Sequence, residues 1–138
     1  MELISKVHGE IQYELKDIIT FKKGIPGFDE YKTYVVKDME ESPFKILQCL
    51  ENNDLAFIII SPFDVVSDYE INLSEEIIKN TNIDSPENVI LYSIVTISSK
   101  AENITANLRA PLVVNIKEMY GEQLIVDKDV YKIKHPLM

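Results

Sequence analysis

Few side chains here are of a type and spacing that could do chemistry. There are two histidines, His8 and His135, near opposite ends, and one cysteine, Cys49. A metal site needs several converging His, Cys or carboxylate ligands. Even if the two termini pair, a third ligand would have to be a carboxylate, so no metal and no cofactor is expected. Cys49 lies in the apolar run Ile46-Leu47-Gln48-Cys49-Leu50 with no base or electropositive neighbour, the setting of a buried inert thiol and not of a nucleophile. None of the four glycines (Gly9, Gly24, Gly27, Gly121) is spaced to cradle a phosphate, and there is no Gly-x-Ser-x-Gly elbow. With 23 carboxylates, some pair always falls at a spacing suited to acid–base work, so such pairs carry little information. The residues read as those of a binding protein, not an enzyme.

Charge is the more informative chemistry. The net charge is −9, from 23 acidic and 14 basic side chains. Affinity for nucleic acid rests on Lys and Arg meeting phosphates, so direct nucleic-acid binding is not expected, nor is binding to an anionic membrane. Residues 41–100 hold 10 acids and 3 bases, which is −7 of the −9. Between Lys45 and Lys79 no basic residue occurs, while Glu51, Asp54, Asp64, Asp68, Glu70, Glu75 and Glu76 all fall there. Such a stretch is either a solvated face or a docking surface for a basic protein, where complementary charge gives on-rate and specificity.

These residues must be positioned by short strands. With 46% apolar and 27% charged residues in 138, the chain is globular and long enough for one domain with its own core; a single domain over 1–138 is expected. No apolar run reaches the ~18 residues of a membrane span. No basic stretch followed by an apolar one opens the chain, and a lone cysteine suits a reducing compartment, so a cytoplasmic location is expected. Glu2–Val7 and Ile11–Leu15 read as a hairpin about His8-Gly9-Glu10. Asp17–Phe21, Thr33–Lys37, Phe44–Leu50 and Leu55–Ile60 are of strand length and rich in β-branched or aromatic residues, and Lys22–Phe28 is a turn. Val89–Ile97 and Leu112–Ile116 barely alternate, as strands buried on both faces do. Tyr120-Gly121-Glu122 reads as the turn between strands Val113–Met119 and Gln123–Val126, and Val130–Lys134 as a last strand. Ser74 can cap a helix over Glu75–Thr81, its first-turn acids at the positive end of the dipole. Ser85-Pro86-Glu87 is a second short helical start. The fold class is mainly β: a small antiparallel β-barrel-like domain with one or two short helices, a two-sheet sandwich being the alternative.

The segment Thr105–Asn115, TANLRAPLVVN, has two readings. Asn107 can close a turn and Pro111 can start a strand where no ladder donor is needed. Alternatively the segment is an edge that meets a partner, with Arg109, the only arginine, supplying its planar donor fork.

Four stretches taken together, ITFKKGIPGF (19–28), LAFIIISPF (55–63), TANLRAPLVVN (105–115) and HPL (135–137), resemble in order and spacing the FliW family of bacterial flagellar assembly factors. The resemblance spans essentially the whole chain. Lys22 and Ser61 depart from it, where a proline and an aspartate are usual. It implies a non-catalytic cytoplasmic regulator with a mostly antiparallel barrel-like fold. The implied partners are CsrA, the regulator that represses flagellin mRNA, and flagellin itself; removal of CsrA from the message, and sequestration by new flagellin, would couple flagellin synthesis to assembly. A flagellin export chaperone without a regulatory partner is the alternative. The protein is expected to be a monomer when free.

Physical chemistry supports part of this. A protein that grips RNA is basic and attracts an acidic partner. That partner could mimic RNA, or dock beside the RNA site and repel phosphates; the resemblance favours the second. The expected contact residues are Asp64, Asp68, Glu70, Glu75 and Glu76, with Asn107 and Arg109 as a second candidate contact.

Overall fold

A computed structural model of the protein describes residues 2–5, 9–126 and 130–137. Strands β1 (Glu2–Ser5) and β2 (Gly9–Gln12) form an antiparallel hairpin; of the expected turn His8-Gly9-Glu10, Gly9 and Glu10 belong to β2 instead, pairing with Ser5 and Ile4, and His8 lies outside the described residues. The main sheet follows: β3 (Ile19–Phe21), β4 (Thr33–Asp38), β5 (Lys45–Cys49), β6 (Ala56–Ile60), β7 (Val89–Thr96), β8 (Thr105–Ala106), β9 (Leu112–Asn115), β10 (Tyr120–Gln123) and β11 (His135–Pro136). Its order is β11-β8-β7-β6-β5-β4-β3-β10-β9, and β9 pairs back onto β7. That last pairing closes β7, β6, β5, β4, β3, β10 and β9 into a seven-stranded barrel. Closure removes the sheet edges that would otherwise template aggregation. All its pairings are antiparallel except that of β3 with β10, where Thr20 lies opposite Tyr120 and Phe21 opposite Gly121 in parallel register.

The barrel closes around side chains supplied by alternate residues. Ile19, Phe21, Tyr34, Leu47, Cys49, Ile59, Tyr92, Leu112 and Val114 form one buried cluster. Phe21 and Tyr34 meet edge to face at 5.4 Å. Cys49 is fully buried and burial pushes its thiol up, as an inert core thiol requires. A smaller cluster of Ile60, Val95 and Ala106 joins Phe44, Val65, Ile104 and Leu137 where β8 and β11 extend the sheet past the barrel. The Lys22–Phe28 turn forms as expected, with Gly24 at φ +69°; a Cβ there would stand 2.6 Å from the Asp29 carbonyl oxygen.

Three expectations need correction. Tyr120–Gly121–Glu122 is not a turn but part of β10. The reversal lies at 116–119, because the Asn115 side-chain oxygen accepts from the Lys117 and Glu118 amides and lets the chain turn early. Val130–Lys134 forms no strand; the last pairing is His135 and Pro136 with Ala106 and Thr105. A helix not foreseen, α1 (Pro62–Val65), follows β6, with buried Pro62 pre-set for the first turn after Ser61. The expected helix is α2 (Glu75–Asn80): the Ile77 amide donates to Ser74 Oγ at 3.2 Å. Pro86–Asn88 is one turn of 3-10 helix. No helix of the described residues is long and apolar enough to cross a membrane.

Candidate partner-binding face

The acidic stretch begins where β6 leaves the barrel. Asp64 sits in the first turn of α1, exposed beside Phe63. The chain then descends to Tyr69, which is 4% exposed and anchors the segment. Its hydroxyl donates to the Leu108 carbonyl at 2.7 Å, and its ring packs on Tyr131 at 4.5 Å and edge-on against Phe63 at 5.8 Å. Tyr131 in turn accepts the Glu70 amide at 2.7 Å. With Tyr69 inward, Asp68, in the turn closed by the Tyr69 amide donating to the Val66 carbonyl at 3.0 Å, and Glu70 on its other side are both exposed.

Beyond Ser74, α2 buries Ile77 and exposes Glu75 and Glu76. Its far end is fixed to the barrel: Thr81 Oγ1 donates to the Ile77 carbonyl, and Asn115 Nδ2 donates to the Thr81 carbonyl at 2.8 Å. Glu76 differs from its neighbours. Lys23 reaches it at 3.0 Å and lies 3.8 Å from Glu122, whose side chain also accepts from Asn80 Nδ2 at 3.1 Å. The Glu76 hydrogen bond, with Glu122 adding, raises the Lys23 pKa above the ordinary lysine value. Glu76 is therefore already matched by a cation, whereas Asp64, Asp68, Glu70 and Glu75 point to solvent. Glu51, also from the base-free stretch, accepts the Lys32 and Thr33 amides, the latter at 2.8 Å. The Lys32 amide first, then Thr33, holds its carboxyl below the usual range. It is a clip on the start of β4.

Next to these acids lies an open apolar groove of about 630 Å³. Its walls are Phe63, Ile71 and Leu73 from the acidic segment, Pro86 from the 3-10 turn, and Ile90 and Tyr92 from β7. Phe63 is 48% and Ile90 37% exposed. Lys45 also borders it, ion-paired to Asp38. Neither Phe63 nor Ile90 was anticipated as a surface residue, since an apolar residue in an apolar run carries no mark of its exposure. The only available signal was Phe63 following Ser-Pro, where a helix start turns the chain outward.

The second candidate contact is built into the chain. Asn107 Oδ1 accepts the Arg109 and Ala110 amides, each at 3.0 Å, an Asx turn. Leu108, Ala110 and Pro111 are buried. Arg109 is half-buried, and its Nε donates to the Val126 carbonyl at 3.4 Å. Tyr69 joins this segment to the acidic one through the Leu108 carbonyl, the residue between Asn107 and Arg109. Among the described residues no group of three or more His, Cys, Asp or Glu side chains could hold a metal.

Comparison with known proteins places this arrangement. The family model for FliW protein matches residues 2–137. The chain is 48% identical over 139 residues to the flagellar assembly factor FliW of Clostridium beijerinckii, covering 100% of this chain and 99% of that protein. It is 49% identical over 138 residues to the Clostridium tetani protein of the same name, covering 99% and 95%. A crystal structure of the flagellar assembly factor FliW superposes with a TM-score of 0.92 at 38% identity, over 100% of this chain and 97% of that one.

Proposed function

The chain belongs to the FliW family, and from that premise we propose that it is a non-catalytic cytoplasmic assembly factor that binds CsrA, lowers its affinity for RNA, and is itself held by flagellin. The observation that carries the CsrA half is the exposure of Asp64, Asp68, Glu70 and Glu75 in a stretch with no lysine or arginine between Lys45 and Lys79. An RNA-binding protein is basic, so this face steers the encounter.

Antagonism follows from the same charges. A bound acidic protein raises the electrostatic cost of bringing phosphates nearby, a coupling free energy between two separate sites. At physiological salt the screening length is about 8 Å, so the effect needs docked acids within roughly that distance of the phosphate path. Antagonism by coupling weakens RNA binding to a limit and leaves a ternary complex, whereas mimicry of RNA excludes it altogether.

The test is a three-component titration with purified CsrA, flagellin messenger RNA and flagellin. The expected result is a salt-sensitive complex with CsrA, release of RNA, and loss of that complex as flagellin is added. A chain that binds flagellin and ignores CsrA would be an export chaperone, and the regulatory reading would fall.

A further inference from the structure

Three segments far apart in the chain hold one another in a closed circuit. The Glu70 amide donates to the Tyr131 hydroxyl at 2.7 Å, and the Tyr131 and Tyr69 ring centroids are 4.5 Å apart. The Tyr69 hydroxyl donates to the Leu108 carbonyl at 2.7 Å. The Leu108 amide donates to the Lys132 carbonyl at 3.0 Å, which returns the circuit to the residue beside Tyr131. Leu108 is the fixed member. It is 1% exposed, and its neighbours are tied to the barrel: the Asn107 amide donates to the Ile94 carbonyl, and the Val126 amide to the Arg109 carbonyl. The other two segments are held more lightly. The backbone bonds of 61–69 are local, Asp64 to Ser61, Val66 to Pro62 and Tyr69 to Val66, and 131–134 forms no strand. Val65 and Leu137 both pack on the cluster of Ile60, Val95 and Ala106. The spans between those anchors, 66–70 and 131–134, meet the barrel through the tyrosines and Leu108.

In such a circuit neither light span leaves alone. Withdrawing 131–132 strips the Glu70 and Leu108 amides of their acceptors and uncovers the Tyr69 ring. Withdrawing 66–70 leaves the Leu108 carbonyl and the Tyr131 ring without partners. Buried polar groups left unpaired are costly, so losing part of the circuit costs nearly as much as losing all of it, the condition for a cooperative sub-global opening. We infer that 66–70 and 131–134 form one latch, with Tyr131 as its catch, which opens from Leu108 as a unit while the barrel stays closed. Asp68 and Glu70 ride on that latch. The placement of their carboxylates is then set by a tyrosine 61 residues from Glu70 in the sequence, and whatever displaces Tyr131 or Lys132 also releases the acidic segment. This device goes beyond the functional reading above and holds whichever protein docks there.

Native-state hydrogen exchange at low denaturant tests it on the Glu70, Leu108 and Leu47 amides, Leu47 being fully buried in β5. In wild type, Glu70 and Leu108 are expected to share one opening constant and one weak denaturant dependence, set apart from a slower and steeper Leu47. Tyr131→Phe keeps the ring and removes only the hydroxyl that Glu70 uses. The Leu108 amide and its acceptor are untouched by that change, yet its exchange should rise about fivefold, the scale of one hydrogen bond. Ile59→Val loosens the barrel core, where Ile59 is fully buried. It should speed Leu47 about fivefold and leave Leu108 at the wild-type rate. Both changes are small enough for the fold to survive, and the wild-type comparison needs neither. A Leu108 rate unmoved by Tyr131→Phe, or wild-type Glu70 and Leu108 that differ in opening constant and slope, makes the two spans independent and overturns the inference. A Leu108 rate that follows Leu47 in Ile59→Val overturns it as well, because the circuit then opens only with the whole barrel.

Discussion

The ring of Phe21 fills the space where a side chain on residue 121 would begin: a Cβ at Gly121 would lie 2.6 Å from Phe21 Cε2 and 2.7 Å from Cζ. The two residues face each other in the one parallel pairing of the barrel. Gly121 is needed for that close approach and not for a turn; its φ is not in the left-handed region. Phe21 is fully buried and wedged on Tyr34, so its ring has no room to swing aside. Gly121→Ala is expected to cost about 2 kcal/mol or more by overpacking, read from denaturant unfolding. Phe21→Leu made in the Gly121→Ala background should cost less than in wild type; equal costs would mean the two residues are uncoupled.

That relationship shows where sequence reasoning worked and where it stopped. Strands such as Thr33–Asp38 and Ala56–Ile60 were legible because β-branched and aromatic residues at strand length leave few alternatives. Gly121 was misread because a glycine between apolar runs is normally a turn, and only the tertiary neighbour reveals a packing need. The true turn is coded by one asparagine, Asn115, inside an apolar run. Asp68 and Glu70 were placed on the surface correctly, but the pairing of Glu76 with Lys23 joins segments far apart in the chain. The groove escaped notice for the same reason: its two walls come from 63–73 and 86–92.

Tyr69 connects the acidic segment to the barrel through one hydroxyl. Tyr69→Phe removes its hydrogen bond to the Leu108 carbonyl and leaves that buried acceptor unpaired. A loss of about 1–2 kcal/mol is expected, with faster amide exchange at Val66–Glu70. If exchange there is unchanged, the hydroxyl does not hold the acidic segment in place.

The acid limb of stability should pass through Glu51. Amide hydrogen bonds depress its folded carboxyl pKa, Lys32 first; Asp38 and Asp84 are depressed chiefly by Lys45 and Lys117. A depressed carboxylate contributes stability that is present above its unfolded pKa of about 4 and lost as pH falls through the folded value. Glu51→Gln should therefore cost most near neutral pH, on the order of 1 kcal/mol for a solvent-screened carboxylate. The gap between the two melting curves should close as pH falls through the depressed folded value. A gap that stays constant with pH would assign the effect to packing.

The charge of the face is separable from its shape. Asp68 and Glu70 are exposed on either side of buried Tyr69, so Asp68→Lys/Glu70→Lys leaves the anchor in place and the melting temperature within a few degrees, as surface changes do. If the face meets basic CsrA, the reversal replaces two attractions by two repulsions. Near-surface pairs are worth about 0.2–1 kcal/mol each, so two attractions lost and two repulsions gained predict a loss of roughly tenfold or more in affinity at low salt. The loss should shrink as the screening length falls toward about 3 Å near 1 M salt. Binding to flagellin by the same variant sorts the two proposed partners: a parallel loss means a shared face, which makes them mutually exclusive, and an unchanged affinity means flagellin binds elsewhere. Undiminished CsrA affinity at low salt would remove Asp68 and Glu70 from the contact.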